Sequence, residues 1–143
     1  MDGLTPPEAG PNVIGFSVAI AKGAYTEIVD IIAPSAAAFG DLVNVEVRVK
    51  NIGDFAFYIA VTGRYDETVL TFSPDYAAVD AGAIQSFTTS FTMPNKKVRV
   101  HVWSFYWTGE EWYQDDYDYV DIALEVSAEP ESRGFAVSEY TKI

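Results

Sequence analysis

The side chains with the most evident chemical potential form a run of carboxylates near the C-terminus. Its members are Glu110, Glu111, Asp115, Asp116, Asp118, Asp121, Glu125, Glu129 and Glu131. No lysine or arginine interrupts the run between Trp107 and Ser132. Ca²⁺ binds six to eight hard oxygen ligands clustered near a loop. The sequence therefore suggests Asp115, Asp116 and Asp118 as candidate calcium ligands.

A strand edge protected by solvated charges is the competing interpretation, and the spacing favours it. The run lacks the glycine and the regular ligand alternation of an EF-hand loop. On a strand, Asp116 and Asp118 share one face, whereas Asp115 and Asp121 share the other. They cannot then all converge on one ion. Charges of this kind guard strand edges against pairing with other chains.

Catalysis by a carboxylate pair is a third use of the same residues. Glu110 and Asp115 would need a cleft, a separation of about 5–9.5 Å and one pKa raised by apolar burial. A small β-domain rarely forms such a cleft. The single histidine, His101, has no serine or aspartate partner at a spacing that suggests a triad. We therefore expect a non-enzymatic protein, with a small hydrolase as the least favoured alternative.

Aromatic side chains are dense in the segment that precedes and enters the acidic run. They are Trp103, Phe105, Tyr106, Trp107, Trp112, Tyr113, Tyr117 and Tyr119. An aromatic sheet face can anchor a protein interface, pack beneath loops or arms, or stack on sugar rings. We predict that Trp103, Phe105 and Trp107 form an exposed stripe. Together with Trp112 and Tyr113, these residues are the candidate interface or glycan-binding site.

The elements that must position these residues are predicted to be β-strands. Val43, Val45, Val47 and Val49 alternate with polar residues between two turns, which is typical of a strand with one buried face. Further strands are predicted at 25–32, 55–62, 68–72, 85–92, 98–107 and 112–124. Seven to nine short strands separated by turns predict an all-β, antiparallel sandwich.

A single domain is predicted, flanked by an arm and a tail. Residues 1–12 read as a flexible, proline-rich arm, 13–124 as the sandwich and 125–143 as a tail. In the first predicted strand Ile14, Phe16, Val18 and Ile20 alternate with small residues. This segment can add to the open sheet edge of a neighbouring subunit, or it can be the first strand of its own sandwich.

Composition excludes several classes of function. The net charge of −12 argues against nucleic acid and against anionic membrane surfaces. No cysteine is present, which excludes disulfides and thiol chemistry. No run approaches the length of about 20 apolar residues that a membrane span requires. Acidity of this size suits solubility, cation binding or a surface exposed to the medium, without choosing among them.

Two segments carry a resemblance to a known family. The stretch from Gly40-Asp41 to Gly53-Asp54, followed by Asp80-Ala81-Gly82 and the strand with Phe87, resembles bacterial CARDB-type domains, which are immunoglobulin-like modules. Residues 91–116 resemble repeats of surface and phage-related proteins. The resemblance implies adhesion or scaffolding and no catalytic residue.

These observations together predict a self-associating structural subunit of an extracellular filament, surface layer or virion-type assembly. No cofactor is expected apart from the candidate calcium. The alternative is a carbohydrate-binding or adhesion module that uses the aromatic face.

Overall fold

The computed structural model describes residues 5–11 and 23–126. The predicted arm strand with Ile14, Phe16, Val18 and Ile20 lies outside these residues, as does most of the predicted tail. The described residues form nine strands. They are β1 (Thr26–Ile32), β2 (Ala36–Ala37), β3 (Leu42–Asn51), β4 (Phe57–Tyr65), β5 (Thr68–Thr71), β6 (Ala77–Val79), β7 (Ile84–Thr92), β8 (Val98–Trp107) and β9 (Trp112–Leu124).

Two sheets pack face to face, and the predicted all-β, immunoglobulin-like sandwich is confirmed. The small sheet has the strand order β1-β3-β7. The large sheet has the order β2-β9-β8-β4-β5, and β6 also pairs with β4. The long strands pair antiparallel, whereas the two-residue β2 runs parallel to the end of β9. The sequence pattern missed β2 and β6, since two or three residues are too few to show a period.

The core lies between the sheets and follows the predicted alternation. Val45 and Val47 of β3 and Val100 of β8 are at most 1% exposed, and Phe91 of β7 is 8% exposed. The buried face predicted for the valines of β3 is therefore confirmed. Polar neighbours of the valines on β3 face solvent on the opposite side of the small sheet. This separation of apolar and polar residues by strand parity drives the two sheets together.

One buried amide ties the end of β3 to the opposite sheet. Asn51 is fully buried, and its Nδ2 donates to the carbonyl oxygens of Phe55 (3.0 Å) and Val79 (2.8 Å). Its Oδ1 accepts a hydrogen bond from the N–H of Gly53 at 2.8 Å. The amide is therefore satisfied on both sides, which makes its burial tolerable.

Candidate functional site

Trp103, Phe105 and Trp107 of β8 lie on the outer face of the large sheet, which we call the aromatic face. Val98, Val100 and Val102 point into the core between the sheets. Trp103 and Phe105 belong to a second cluster, in which Ala60 is also buried. The predicted division of β8 into two faces is therefore correct.

The expectation that Trp103 and Phe105 form part of an exposed stripe is wrong. Trp103 is 0% and Phe105 is 8% exposed. The ring of Tyr117, on the neighbouring β9, lies 5.5 Å from that of Trp103. Tyr76 and Trp112 pack against the same cluster. Small and aromatic neighbours on adjacent strands thus bury rings that a single-strand pattern places in solvent.

The N-terminal residues 5–11, which we call the leader, lie against the end of this face. The indole Nε1–H of Trp107 donates to the carbonyl oxygen of Thr5 at 2.7 Å. That of Trp112 donates to the carbonyl oxygen of Ala9 at 2.9 Å. Pro7, between these two anchor points, is buried. A proline-containing segment that bends at residues 8–10 is thereby held through its backbone by two tryptophans.

Tyr113 belongs to a different face from Trp107 and Trp112. It is 45% exposed, and its ring stacks on Tyr106 at 5.8 Å. Tyr106 in turn contacts Tyr25 at 4.6 Å and packs against the main core. The five predicted interface residues therefore divide into a buried pair, a pair that holds the leader, and Tyr113.

An apolar cleft of about 400 Å³ opens at the same end of the sandwich, and we call it the end cleft. Its walls include Tyr25, Ile52, Phe55, Phe57 and Tyr106. Phe55 is 62% exposed and Tyr25 is 46% exposed, so aromatic surface is open to solvent here. The sequence pattern missed Tyr25 and Phe55 as site residues because they stand apart from the aromatic-rich segment.

The candidate calcium ligands Asp115 and Asp116 instead bind backbone N–H groups. Asp115 accepts hydrogen bonds from the N–H groups of Ala24, Tyr25 and Thr26, the last at 2.6 Å. The buried Asp116 accepts one from the N–H of Ile28 at 2.8 Å. The two carboxylates therefore fasten the start of β1 to β9, across the boundary between the sheets.

A β-bulge explains why the two side chains act together. Trp103 pairs with Tyr117 and Phe105 pairs with Gln114, so two residues of β9 stand opposite Ser104 alone. The buried Ser104 Oγ accepts a hydrogen bond from the N–H of Asp116 at 3.0 Å. The extra residue breaks the alternation that was expected to send Asp115 and Asp116 to opposite faces. That expectation is wrong.

The predicted solvation is also wrong for the buried Asp116, and Asp118 does not join the pair. Asp118 is exposed, and its Oδ1 accepts a hydrogen bond from the N–H of the adjacent Tyr119. Within residues 5–11 and 23–126, no group of three or more acidic or histidine side chains is arranged to hold a metal ion.

His101 is part of a polar group at the other end of the aromatic face. Its Nδ1 lies 2.6 Å from the hydroxyl of Tyr117, and its ring stacks on Trp103. Burial, followed by repulsion from Arg99 and Arg64, lowers the pKa of His101 below its ordinary value of 6.5. The neutral imidazole is therefore the form that this face favours.

A charged pair borders the histidine. The guanidinium of Arg99 donates two hydrogen bonds to Asp121, at 2.7 and 3.0 Å, and lies 4.1 Å from the ring centroid of Tyr119. These hydrogen bonds lower the pKa of Asp121 and raise that of Arg99. The acidic strand β9 thus has its charge partly compensated at this point.

In the described part of the chain, no helix is long and apolar enough to cross a membrane.

Comparison with solved structures shows what this chain resembles. The CARDB domain of a Pyrococcus furiosus protein, solved in complex with di-metal ions, matches with a TM-score of 0.54 and 12% identity, covering 79% of this chain and 100% of that domain. A PapD-like domain of human CEP192 matches with a TM-score of 0.45 and 11% identity, covering 85% of this chain and 100% of that domain. A C. elegans MSP family member matches with a TM-score of 0.41 and 15% identity, covering 66% of this chain and 97% of that protein.

The predicted resemblance to CARDB-type, immunoglobulin-like sandwiches is confirmed at the level of the fold. No protein-family model matches the sequence. No curated protein matches it significantly.

Proposed function

We propose that this CARDB-like sandwich is a non-enzymatic structural subunit that self-associates, with its N-terminal arm as one of the connecting elements. The observation that carries the proposal is the docking of the leader on Trp107 and Trp112. A sheet face that binds a segment of its own sequence can bind the same segment of a neighbour. Backbone hydrogen bonds then give affinity and buried side chains give register.

The acidic residues support a structural role over a catalytic one. Asp115 is the member of the candidate catalytic pair that lies in a strand. It accepts hydrogen bonds from three successive backbone N–H groups. A carboxylate engaged in this way orders the chain and has few lone pairs left for acid–base chemistry. Glu110 stands exposed in the hairpin loop between β8 and β9.

We also propose that the assembly faces the medium, as a filament, surface layer or virion-type particle would. The net charge of −12 favours solubility and suits such a surface. A chain with no cysteine has no thiol that an oxidising environment could convert to a disulfide.

Light scattering coupled to size-exclusion chromatography tests the self-association. The full chain should form oligomers whose mass rises with concentration. A variant that lacks residues 1–22 should remain folded by circular dichroism and elute as a monomer. A full chain that stays monomeric at every concentration would overturn the proposal. Unfolding of the shortened variant would place the arm strand in its own sandwich.

A carbohydrate-binding or adhesion module is the second candidate, and the end cleft favours it. Exposed Tyr25 and Phe55 beside a cleft of about 400 Å³ offer surfaces on which sugar rings stack. Glycan-array binding that is lost in Phe55→Ala supports this function. Phe39→Ala is the matched control, because Phe39 is 68% exposed but is not among the residues that line the cleft. Equal binding by both variants would exclude the cleft.

A further inference from the structure

We infer that Trp107 and Trp112 form a binding groove for proline-containing peptide backbone, and that in the assembly it holds the leader of a second copy. We call these two residues the tryptophan clamp. This inference rests on the proposed function and names the site and the partner segment through which self-association occurs.

The clamp is held in place by the hairpin that carries it. Trp107 ends β8, Trp112 begins β9, and the two residues pair directly across the strands. Their ring centroids are 5.3 Å apart with an interplanar angle of 57°. The loop between them is closed by a hydrogen bond from the N–H of Thr108 to the carbonyl oxygen of Glu111 at 3.1 Å. The two indole N–H donors are therefore presented in a fixed arrangement.

The chemistry of the contact specifies the ligand class. The clamp donates to two carbonyl oxygens, those of Thr5 and Ala9, four positions apart. Pro6 and Pro7 stand between these anchors, and proline has no N–H that would be left unpaired in an apolar groove. Proline also restricts the free peptide, so less conformational entropy is lost on binding. Aromatic grooves that bind proline-rich segments in other proteins exploit the same physics.

Charge around the groove predicts which sequences bind best. Glu8 of the leader and Glu110 of the hairpin loop line the same depression beside the clamp. Both are exposed and both are acidic, so they repel each other. A leader with a cation at position 8 should therefore bind more tightly than the natural one, and added salt should reduce the difference.

The length of the connecting chain permits the groove to be filled by a neighbour. Eleven residues, 12–22, join Pro11 to Gly23, the next residue that the structure describes. Fully extended, eleven residues reach about 36–40 Å. The ten-residue strand β8 is about 33 Å long. The connection can therefore extend past the edge of its own sheet to the clamp of a second copy.

Paramagnetic relaxation in mixed samples of the full chain tests this arrangement. Because the chain has no cysteine, Gly3→Cys provides a unique position for a nitroxide beside the leader. Spin-labelled chain without ¹⁵N is mixed with ¹⁵N-labelled, unmodified chain. We expect broadening of the indole N–H signals of Trp107 and Trp112 in the ¹⁵N chain. A second sample carries the nitroxide and ¹⁵N on the same chain. Broadening that appears only in that sample would overturn the second copy as occupant. Absence of broadening in both samples would overturn the groove itself.

Trp112→Phe is the matched variant, since it keeps an aromatic ring and removes the N–H donor. In the ¹⁵N chain it should weaken the mixed association about tenfold, the effect of one lost hydrogen bond of about 1.4 kcal/mol. Because Trp112 also packs against the buried cluster, a modest fall in melting temperature is expected, and circular dichroism should show the same fold. A peptide of residues 1–11 should compete for the clamp, and its Glu8→Lys form should compete at lower concentration. If Trp112→Phe leaves oligomerisation unchanged, this inference fails, whereas the proposed self-association through other surfaces stands.

Discussion

At the scale of single residues, the core valines of β3 set the most direct test of the two-sheet structure. Val47 is 0% exposed between the sheets. Val47→Asp buries an unpaired charge, and we expect it to cost more than about 4 kcal/mol and to prevent folding. Asn44→Asp introduces the same charge on the solvent face of the same strand and should change stability by less than about 0.5 kcal/mol. Thermal unfolding followed by circular dichroism measures both. A soluble Val47→Asp protein with an unchanged melting curve would contradict the core.

His101 is expected to make stability depend on pH. The unfolded chain takes up a proton near pH 6.5, whereas burial lowers the pKa of His101 in the folded protein. Between those two values the unfolded state binds more protons, so acidification favours unfolding. We therefore expect the melting temperature to fall below about pH 6.5, and to fall less in His101→Gln. The lowered pKa values of Asp121 and Glu46 act in the same direction at lower pH and remain in both proteins. Identical pH profiles for the two proteins would contradict the role of His101.

At the scale of secondary-structure elements, the attachment of β1 depends on one buried carboxylate. Asp116→Asn removes the charge that accepts a hydrogen bond from the N–H of Ile28. We expect a loss of about 1–3 kcal/mol and faster hydrogen exchange of the Ile28 amide. Asp118→Asn makes the same chemical change at an exposed position of the same strand. It should leave both measurements almost unchanged. Equal effects of the two substitutions would mean that Asp116 does not hold β1.

Strand periodicity predicted the elements well, whereas local irregularities escaped it. The inner face of β3 follows from alternation, and the bounds of β8 and β9 agree with those predicted. The bulge opposite Ser104 carries no sequence signal, so the joint role of Asp115 and Asp116 could not be predicted. Burial of Trp103 depends on rings from adjacent strands. The leader has no periodicity, and its docking depends on two tryptophans about 100 positions later in the chain.

At the scale of the whole molecule, the net charge of −12 makes ionic strength a control on stability. Exposed carboxylates of β9 repel one another, and salt screens them over about 8–10 Å. NaCl should therefore raise the melting temperature. CaCl₂ at equal ionic strength should have the same effect, because the oxygens of Asp115 and Asp116 already accept backbone hydrogen bonds. A much larger shift at micromolar Ca²⁺ would instead demonstrate a specific calcium site.

The fastening of β1 also bears on how such a strand-rich chain avoids cross-β aggregation. A border strand normally offers free amides that template the addition of foreign strands. Here the amides of Thr26 and Ile28 are occupied by carboxylates from the other sheet. An incoming strand would have to displace two anions to gain those donors. Strand addition at this border is therefore opposed by the same two aspartates that resemble a metal site in the sequence.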